Sequence, residues 1–211
     1  MARSTPSRAS DAPRDAIALL KQDHRTVEAL FDQFEDADES EQSQLAERAC
    51  QLLTVHAQIE EEILYPAAKE AFGEDEEEED LVNEAQVEHN SAKELIARIE
   101  GMTPDDETFK ATVTVLGEYV KHHVKEEENE MFPALKKSDL DLKELGSQLQ
   151  ERKLALMEQL GIEEEEAPAA KKSASRSSSR SASSSKSRQA RAGGRSKSAS
   201  SRNSGSRSAK H

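Results

Sequence analysis

The chain has little of what most proteins use to build β-sheets or disulfide frameworks. It contains no Trp, 3% aromatic residues and a single cysteine, Cys50, among 211 residues. Few runs of β-branched or aromatic residues are present from which strands could form, whereas long stretches of Glu, Ala, Leu and Lys favour helices. One cysteine also excludes an internal disulfide framework. We therefore expect an all-helical protein without structural disulfides.

Long apolar runs are absent as well. No segment has the length and hydrophobicity of a signal peptide or of a membrane span. Together with the lone cysteine, this predicts a protein of the reducing cytoplasm with no membrane span. Cys50 lies beside the apolar stripe of its helix rather than within it, which favours inert packing over a role as a redox thiol.

Charge divides the chain into two opposite parts. From Lys171 onward there are 12 Lys and Arg and no acid, so the remaining 17 basic residues face all 43 Asp and Glu in the first 170 residues. This end of the chain is also rich in Ser and, apart from Ala, almost free of apolar side chains. Such a composition cannot bury enough surface to offset the entropy of ordering. We expect a disordered basic tail behind an acidic folded body.

The composition predicts four segments. A disordered N-terminal segment (1–10) precedes a four-helix bundle (11–136), an additional helix (137–165) and the disordered Ser/Arg/Lys-rich tail (166–211). Residues 171–211 resemble flexible basic extensions that bind nucleic acid through its phosphates, without reading its sequence. Association of this tail with the acidic body is the alternative.

A unit of His and Glu occurs twice in the first part of the chain. The first copy has His24 and then His56-Ala-Gln-Ile-Glu60-Glu61, and ends in Tyr65-Pro66-Ala67. The second has His89 and then His123-Val-Lys-Glu-Glu127-Glu128, and ends in Phe132-Pro133-Ala134. A helix advances about 100° per residue, so a His and a Glu four apart share one face. Two such half-sites predict one composite metal site.

Apolar periodicity places each histidine of this unit on a separate helix. In the first, predicted from about Asp11 to Phe34, His24 continues the apolar series 17, 20, 27, 31 and 34, so its ring should face the core. The second should begin at Ser40 or Ser43 and end near Phe72, with Pro66 closing or kinking it. The others are predicted after the acidic run 74–80 as far as Gly101, from Phe109 to Met131, and over 139–160, the last packing outside the bundle.

A polar core is the alternative to a metal site. However, two buried carboxylates without Lys or Arg partners would cost several kcal/mol each, or change protonation, and a cation removes that cost. Two groups of neighbours are predicted not to bind the ion. His122 is displaced by one residue from its stripe and is not expected to be a ligand, a role as an alternate or outer ligand being the alternative. The adjoining acids read as solvated faces, namely Glu61, Glu62, Glu126, Glu128 and Glu130.

These residues resemble the hemerythrin-like HHE cation-binding family over roughly Ala16 to Leu135. The resemblance implies an antiparallel four-helix bundle holding two irons, joined by an oxo or hydroxo bridge. It also implies bridging carboxylates at Glu60 and Glu127, and terminal nitrogen ligands at His24, His56, His89 and His123. Mixed imidazole and carboxylate ligation suits iron on general grounds, with zinc or manganese as alternatives.

If two octahedral metals are assumed, this ligand set leaves about one open position on each. Open positions favour a protein that binds or senses iron, dioxygen or nitric oxide, with a di-iron oxidase or peroxide-consuming enzyme as one alternative. A structural metal bundle with a nucleic-acid-binding tail is the other. The oxygen-carrying hemerythrins that the chain resembles have a further His where this sequence has Lys93, which argues against reversible oxygen transport. The two tyrosines, Tyr65 and Tyr119, are expected to serve in packing. The sequence leaves the oligomeric state open.

Overall fold

The computed structural model describes residues 15–73 and 75–163, and every regular element within these ranges is helical. The α-helices are α1 (Ala16–Asp36), α2 (Glu39–Ile59), α3 (Tyr65–Phe72), α4 (Glu76–Glu100), α5 (Phe109–Glu126), α6 (Phe132–Lys137) and α7 (Leu142–Leu160). Two π-helical segments join them, Glu60–Leu64 between α2 and α3 and Glu127–Met131 between α5 and α6. The predicted disordered segments 1–10 and 166–211, and the expected helix start at Asp11, lie outside the described residues.

The long helices form an antiparallel four-helix bundle. Helix α1 packs on α2 and α4 packs on α5, and contacts of α1 with α5 and of α2 with α4 close the bundle. Short connections, such as Ala37–Asp38 between α1 and α2, make sequential neighbours antiparallel. The predicted all-α bundle is thus confirmed. None of the helices among the described residues is long and apolar enough to cross a membrane.

Aspartates cap four of the helices at their first residues. The carboxylates of Asp15, Asp38, Asp75 and Asp141 accept backbone N–H groups that have no partner inside their own helix. The prediction that Ser40 or Ser43 opens α2 was therefore wrong, because Asp38 does so. The acidic run does not precede α4 either. Most of it forms the first turn of α4, where negative charge is favourable next to the helix dipole.

Each copy of the repeated unit contains a π-helical turn. The Tyr65 N–H donates to the carbonyl of Glu60, five residues earlier, and the Phe132 N–H donates in the same way to Glu127. The proline that follows each turn occupies the beginning of α3 or α6, where a missing N–H is tolerated. The chain therefore remains helical past Pro66 as far as Phe72.

Helix α7 lies outside the bundle, as expected. It packs on α1, α2 and the first π-helical segment. Its buried residues include Leu145, Leu149 and Leu156. Gly146 lies so close to the start of α1 that an added Cβ would stand 2.6 Å from the Ala16 nitrogen. A side chain is therefore excluded at this position.

Apolar side chains form two clusters, one on each side of the histidines. On α1, residues before His24 such as Leu20 belong to the first cluster, and residues after it such as Val27 belong to the second. On α4, Val82 lies in the first and Ile96 in the second, with His89 between them. The polar residues of the repeated unit therefore cross the middle of the bundle core.

Candidate metal centre

The structure brings all six predicted ligands together inside the bundle. They come from four helices and from the first residue of each π-helical segment, and each is at most 7% exposed: His24, His56, Glu60, His89, His123 and Glu127. They fall into two overlapping groups, in each of which one ligand atom per residue lies within 4.8 Å of the others. The first group contains His24, His56, Glu60 and Glu127, and the second contains Glu60, His89 and His123.

Each of the two buried carboxylates lies between imidazoles from both copies of the unit. Glu60 Oε2 is 3.2 Å from His56 Nε2 and 3.4 Å from His89 Nε2. Glu127 Oε2 is 3.2 Å from His24 Nε2, and Glu127 Oε1 is 3.6 Å from His123 Nε2. Carboxylates placed in this way can each reach two cations.

Unpartnered polar atoms test whether the residues fit a cation. Seven buried side-chain atoms in this region accept or donate no hydrogen bond, which is costly for atoms without water. They include both oxygens of Glu60, Glu127 Oε2 and Nε2 of His24 and His56. Imidazole nitrogen and carboxylate oxygen are ligands for divalent and trivalent transition metals. The donor set therefore fits metal ions.

The charge states of these groups also suit a cation. Burial and the neighbouring charge of Glu127 raise the pKa of Glu60. Burial would also raise the pKa of Glu127, but the imidazoles of His123 and His24 hold it below its usual value. Burial lowers the pKa of His56 to about 4, which keeps this ring neutral at pH 7. A cation binds an imidazole in its neutral form, and it stabilises two neighbouring carboxylates in their ionised forms.

A second carboxylate stands behind every one of the four imidazoles. The pairs, by Nδ1 and carboxylate oxygen, are His24 with Glu128 at 3.1 Å, His89 with Glu61 at 3.1 Å, His123 with Glu88 at 2.9 Å and His56 with Asp23 at 3.7 Å. The first three are hydrogen bonds, while the fourth is too long for one. Because an ionised carboxylate can only accept, Nδ1 carries the proton and Nε2 is left for a metal.

Two of these outer acids differ from what the sequence predicted, and the other two were not predicted to contact the candidate metal centre. Glu61 and Glu128 were predicted to be solvated, yet each accepts from a histidine of the other copy of the unit. Asp23 and Glu88 were not singled out. The signal was present, because an acid precedes the lone His in both copies and another follows the inward Glu.

Cationic side chains stand behind three of the outer acids. Lys153 Nζ lies 2.5 Å from Asp23, Lys93 Nζ lies 2.6 Å from Glu61, and Lys21 Nζ lies 2.5 Å from Glu128. Lys93 stands where the oxygen carriers have a further His. Its ammonium group forms an ion pair with the outer acid Glu61. The fourth acid, Glu88, has His122 as its neighbour, with Glu88 Oε1 3.6 Å from His122 Nε2.

Tyr65 and Phe132 occupy equivalent places in the two copies but contact the candidate metal centre differently. The Tyr65 hydroxyl donates to Glu127 Oε1 at 3.2 Å and lies 3.2 Å from His89 Nε2. Phe132 instead stacks on His24, with ring centroids 5.8 Å apart. Packing was the favoured prediction for Tyr65, with quenching of an oxidant near the site as the alternative, and its hydroxyl adds a polar contact that the sequence did not reveal.

A small apolar cavity adjoins the histidines. Its volume of about 30 Å³ is of the order of a single water. All four histidines contribute to its lining, and so do apolar residues such as Val27, Leu53 and Ile96. Lys93 and Tyr119 also contribute, and Tyr119 is 46% exposed. The cavity can accept a ligand of very few atoms.

Known proteins match this chain in sequence and in fold. Residues 15–135 match the hemerythrin HHE cation-binding domain family. A DNA nickase from Nostoc sp. is 31% identical over 121 residues, which are 56% of this chain and 32% of that protein. The chain thus spans about a third of the length of this curated relative.

A crystal structure of a hemerythrin HHE cation-binding domain-containing protein from Mycobacterium kansasii has the same fold. It superposes with a TM-score of 0.59 at 22% identity, and the match covers 69% of this chain and 88% of that one. The family match extends over more than half of the sequence and contains both copies of the His and Glu unit. The chain therefore belongs to the hemerythrin HHE cation-binding family, and its body is a metal-binding helical bundle.

Proposed function

We propose that the protein is a non-haem di-iron protein that binds or senses iron, dioxygen or nitric oxide. In this proposal Glu60 and Glu127 bridge two irons, and the four histidines are terminal ligands through Nε2. The observation that carries it is the convergence of buried imidazoles from both copies of the unit on these two carboxylates. Both oxygens of Glu60, Glu127 Oε2 and Nε2 of His24 and His56 have no hydrogen-bond partner. Zinc or manganese would accept the same donors, but mixed imidazole and carboxylate ligation suits iron.

The residues of the chain prepare the candidate metal centre for such ions. The outer acids hold Nδ1 of three histidines, which fixes each ring and leaves Nε2 free. Apolar clusters on both sides limit the access of water. Iron, when bound, supplies redox chemistry and open positions for a small ligand.

Ligand size supports binding or sensing of small molecules. The cavity beside the histidines is about 30 Å³ and mostly apolar, which suits a diatomic molecule better than an organic substrate. Lys93 is paired with Glu61 rather than left as a ligand. This arrangement differs from the oxygen carriers, and it favours sensing over reversible transport.

Metal content and the visible spectrum test this proposal. Protein from cells grown with iron should contain about two irons per chain and show near-ultraviolet charge-transfer bands. A double variant, His56→Ala with His123→Ala, should lose both, because each pair of imidazoles loses one member. Lys121→Ala, at an exposed position of the same helix as His123, serves as the matched control and should retain two irons. Little metal in a folded parent, or unchanged metal in the double variant, would contradict the proposal.

Consumption of peroxide is a second candidate. The Tyr65 hydroxyl is buried beside Glu127 and His89. Disproportionation of two peroxide molecules to water and dioxygen needs no outside reductant, but it does need a group that transfers protons between them. Iron-loaded protein should then remove added peroxide over many turnovers, whereas a binding or sensing protein should form a stable adduct with dioxygen or nitric oxide. Absence of turnover would exclude this candidate.

Contact with DNA through residues 171–211 is a third candidate. Its support is the basic composition of these residues and the similarity to a protein named as a DNA nickase. The full chain should bind duplex DNA with an affinity that falls steeply with salt, and a chain ending at Ala170 should not. Supercoiled plasmid, incubated with and without a chelator, tests for nicking. Equal binding by both chains would contradict a role of the tail.

A further inference from the structure

Glu88, His122 and Glu126 form a second group of potential ligands, on the surface of the bundle. Glu88 belongs to α4, and the other two lie one turn apart in the last turns of α5. His122 Nε2 is 3.1 Å from Glu126 Oε1 and 3.6 Å from Glu88 Oε1. One ligand atom from each residue lies within 4.8 Å of the other two. One imidazole and two carboxylates make a donor set for a divalent transition metal.

The other three outer acids pair with lysines, whereas Glu88 has His122 as its outer neighbour. Asp23, Glu61 and Glu128 each have a lysine ammonium group within 2.6 Å. Glu88 Oε2 accepts the His123 Nδ1–H, and the other oxygen, Oε1, faces His122 instead of a lysine. A metal cation held by Glu88 and His122 would complete the series, because it would supply the positive charge that lysines supply elsewhere.

The surroundings of this group favour exchange of the ion with solvent. His122 is 62% exposed and Glu126 is 36% exposed, so an ion can arrive without opening the bundle. Glu88 is 20% exposed and reaches inward to His123 with its second oxygen. The Glu88 carboxylate thus contacts both His122 at the surface and His123 of the candidate metal centre.

We propose that Glu88, His122 and Glu126 bind a divalent transition-metal cation at the surface, linked to the interior centre through Glu88. Waters fill the remaining positions of this outer site. From the sequence alone, the alternative for His122 was an alternate or outer ligand of the interior centre. In the proposed outer site His122 binds a separate ion, whichever metal fills the interior.

Mn²⁺ binding to the full chain tests the outer site. Interior metal is first measured in every sample, and Mn²⁺ is then titrated while the signal of free Mn²⁺ is followed by paramagnetic resonance. The parent should bind one more Mn²⁺ than His122→Ala. Glu126→Gln should bind this ion at least tenfold more weakly than the parent. Zn²⁺ should displace it, in accordance with the usual order of metal affinities.

Glu118→Gln is the matched control. Glu118 is an exposed acid on the same helix, and its substitution removes the same charge without touching the group. This variant should bind Mn²⁺ as the parent does. A loss equal to that in Glu126→Gln would show diffuse attraction to an acidic surface and would overturn the proposal. Equal Mn²⁺ binding by the parent and His122→Ala would overturn it too.

A resonance measurement distinguishes this proposal from the one for the interior. In chains whose interior is already filled with iron, the ring ¹⁵N signal of His122 should broaden on addition of Mn²⁺, and it should broaden less in Glu126→Gln. An unaffected ring signal would overturn the outer site. Interior iron is counted separately in the same samples, so failure of either proposal is seen independently of the other.

Discussion

Tyr65 and Phe132 show how single residues make the two halves of the candidate metal centre unequal. Each follows a π-helical turn and precedes a proline, so their backbones occupy equivalent places. Only Tyr65 brings a hydroxyl, which donates to Glu127. Phe132 offers a ring face to His24 and no polar atom. The two halves of the candidate metal centre therefore differ in the hydrogen bonds available to them.

Replacement of Tyr65 by Phe should remove this hydrogen bond and retain the packing of the ring. We expect a loss of roughly 0.5–1.5 kcal/mol in the free energy of unfolding, the usual net value of one hydrogen bond. In iron-loaded protein the near-ultraviolet bands should shift, because Glu127 loses a donor. Urea unfolding and the absorption spectrum measure the two effects. Tyr119→Phe, at an exposed site, should change neither, and an unchanged spectrum of Tyr65→Phe would refute its role.

Cys50 provides a prediction about pH. Burial raises the pKa of its thiol from 9.0 to about 12, so the folded state keeps the thiol protonated where the unfolded state ionises it. Stability contributed by this thiol is therefore full below pH 9 and declines as the pH rises from 9 towards 12. Unfolding free energies measured between pH 7.5 and 10.5 should fall more steeply for the parent than for Cys50→Ala. Parallel curves would contradict the prediction.

The sequence predicted that six His and Glu side chains face the core, and the structure buries all six, but the role of the acids behind them was not predicted. The inward residues follow apolar periodicity, so the pattern alone places His24 and His89 in the core. The repeat aligns an outer acid such as Glu61 with its counterpart, but its partner is seen only on another helix. Lys93 was noted as a departure from the oxygen carriers, but its contact with Glu61 required the fold. Contacts between helices are not encoded in the periodicity of one helix.

At the scale of elements, the π-helical turns were the main difference from expectation. Helix length and spacing were predicted from a regular rotation of about 100° per residue. Each π turn adds a residue to the helical circuit and changes the direction of every side chain that follows it. Glu61 and Glu128, the second residues of these segments, face histidines instead of solvent. No residue type marks a π turn reliably, so the π turns could not be predicted from the sequence.

The contact between α7 and α1 depends on Gly146. A Cβ there would lie 2.6 Å from the Ala16 nitrogen and 2.7 Å from the Asp15 carbonyl carbon, both backbone atoms that cannot move freely. Gly146→Ala should therefore lower the free energy of unfolding by about 1–3 kcal/mol, although alanine is the better helix former. Ser147→Ala, exposed on the same helix, is the control and should be nearly neutral. A stabilised Gly146→Ala variant would contradict the close packing.

At the scale of the whole molecule, α7 connects the candidate metal centre to residues outside the family match. The match ends at residue 135, yet Lys153 on α7 contacts Asp23, which lies behind His56. The fifth helix is thus more than a cover for apolar surface. It supplies the counter-charge for one of the outer acids.

Replacement of Lys153 by Met should test this connection. Asp23 is only 9% exposed and would lose its cation, so we expect a loss of roughly 1–3 kcal/mol in the free energy of unfolding. Iron retention under a competing chelator should fall relative to the parent, because Asp23, the acid that faces His56 Nδ1, would lose its counter-charge. Lys143→Met, exposed on the same helix, is the control. Equal iron retention in both variants would contradict a contribution of α7 to metal binding.

The two apolar clusters on either side of the polar residues have a consequence for cooperativity. Each end of the bundle holds its own core, and the polar residues between them add little apolar contact of their own. Metal ions would join the two cores by tying all four helices together at mid-length. Amide hydrogen exchange in the iron-free chain should then show two units of local opening with separate rates, which merge into one when iron is bound.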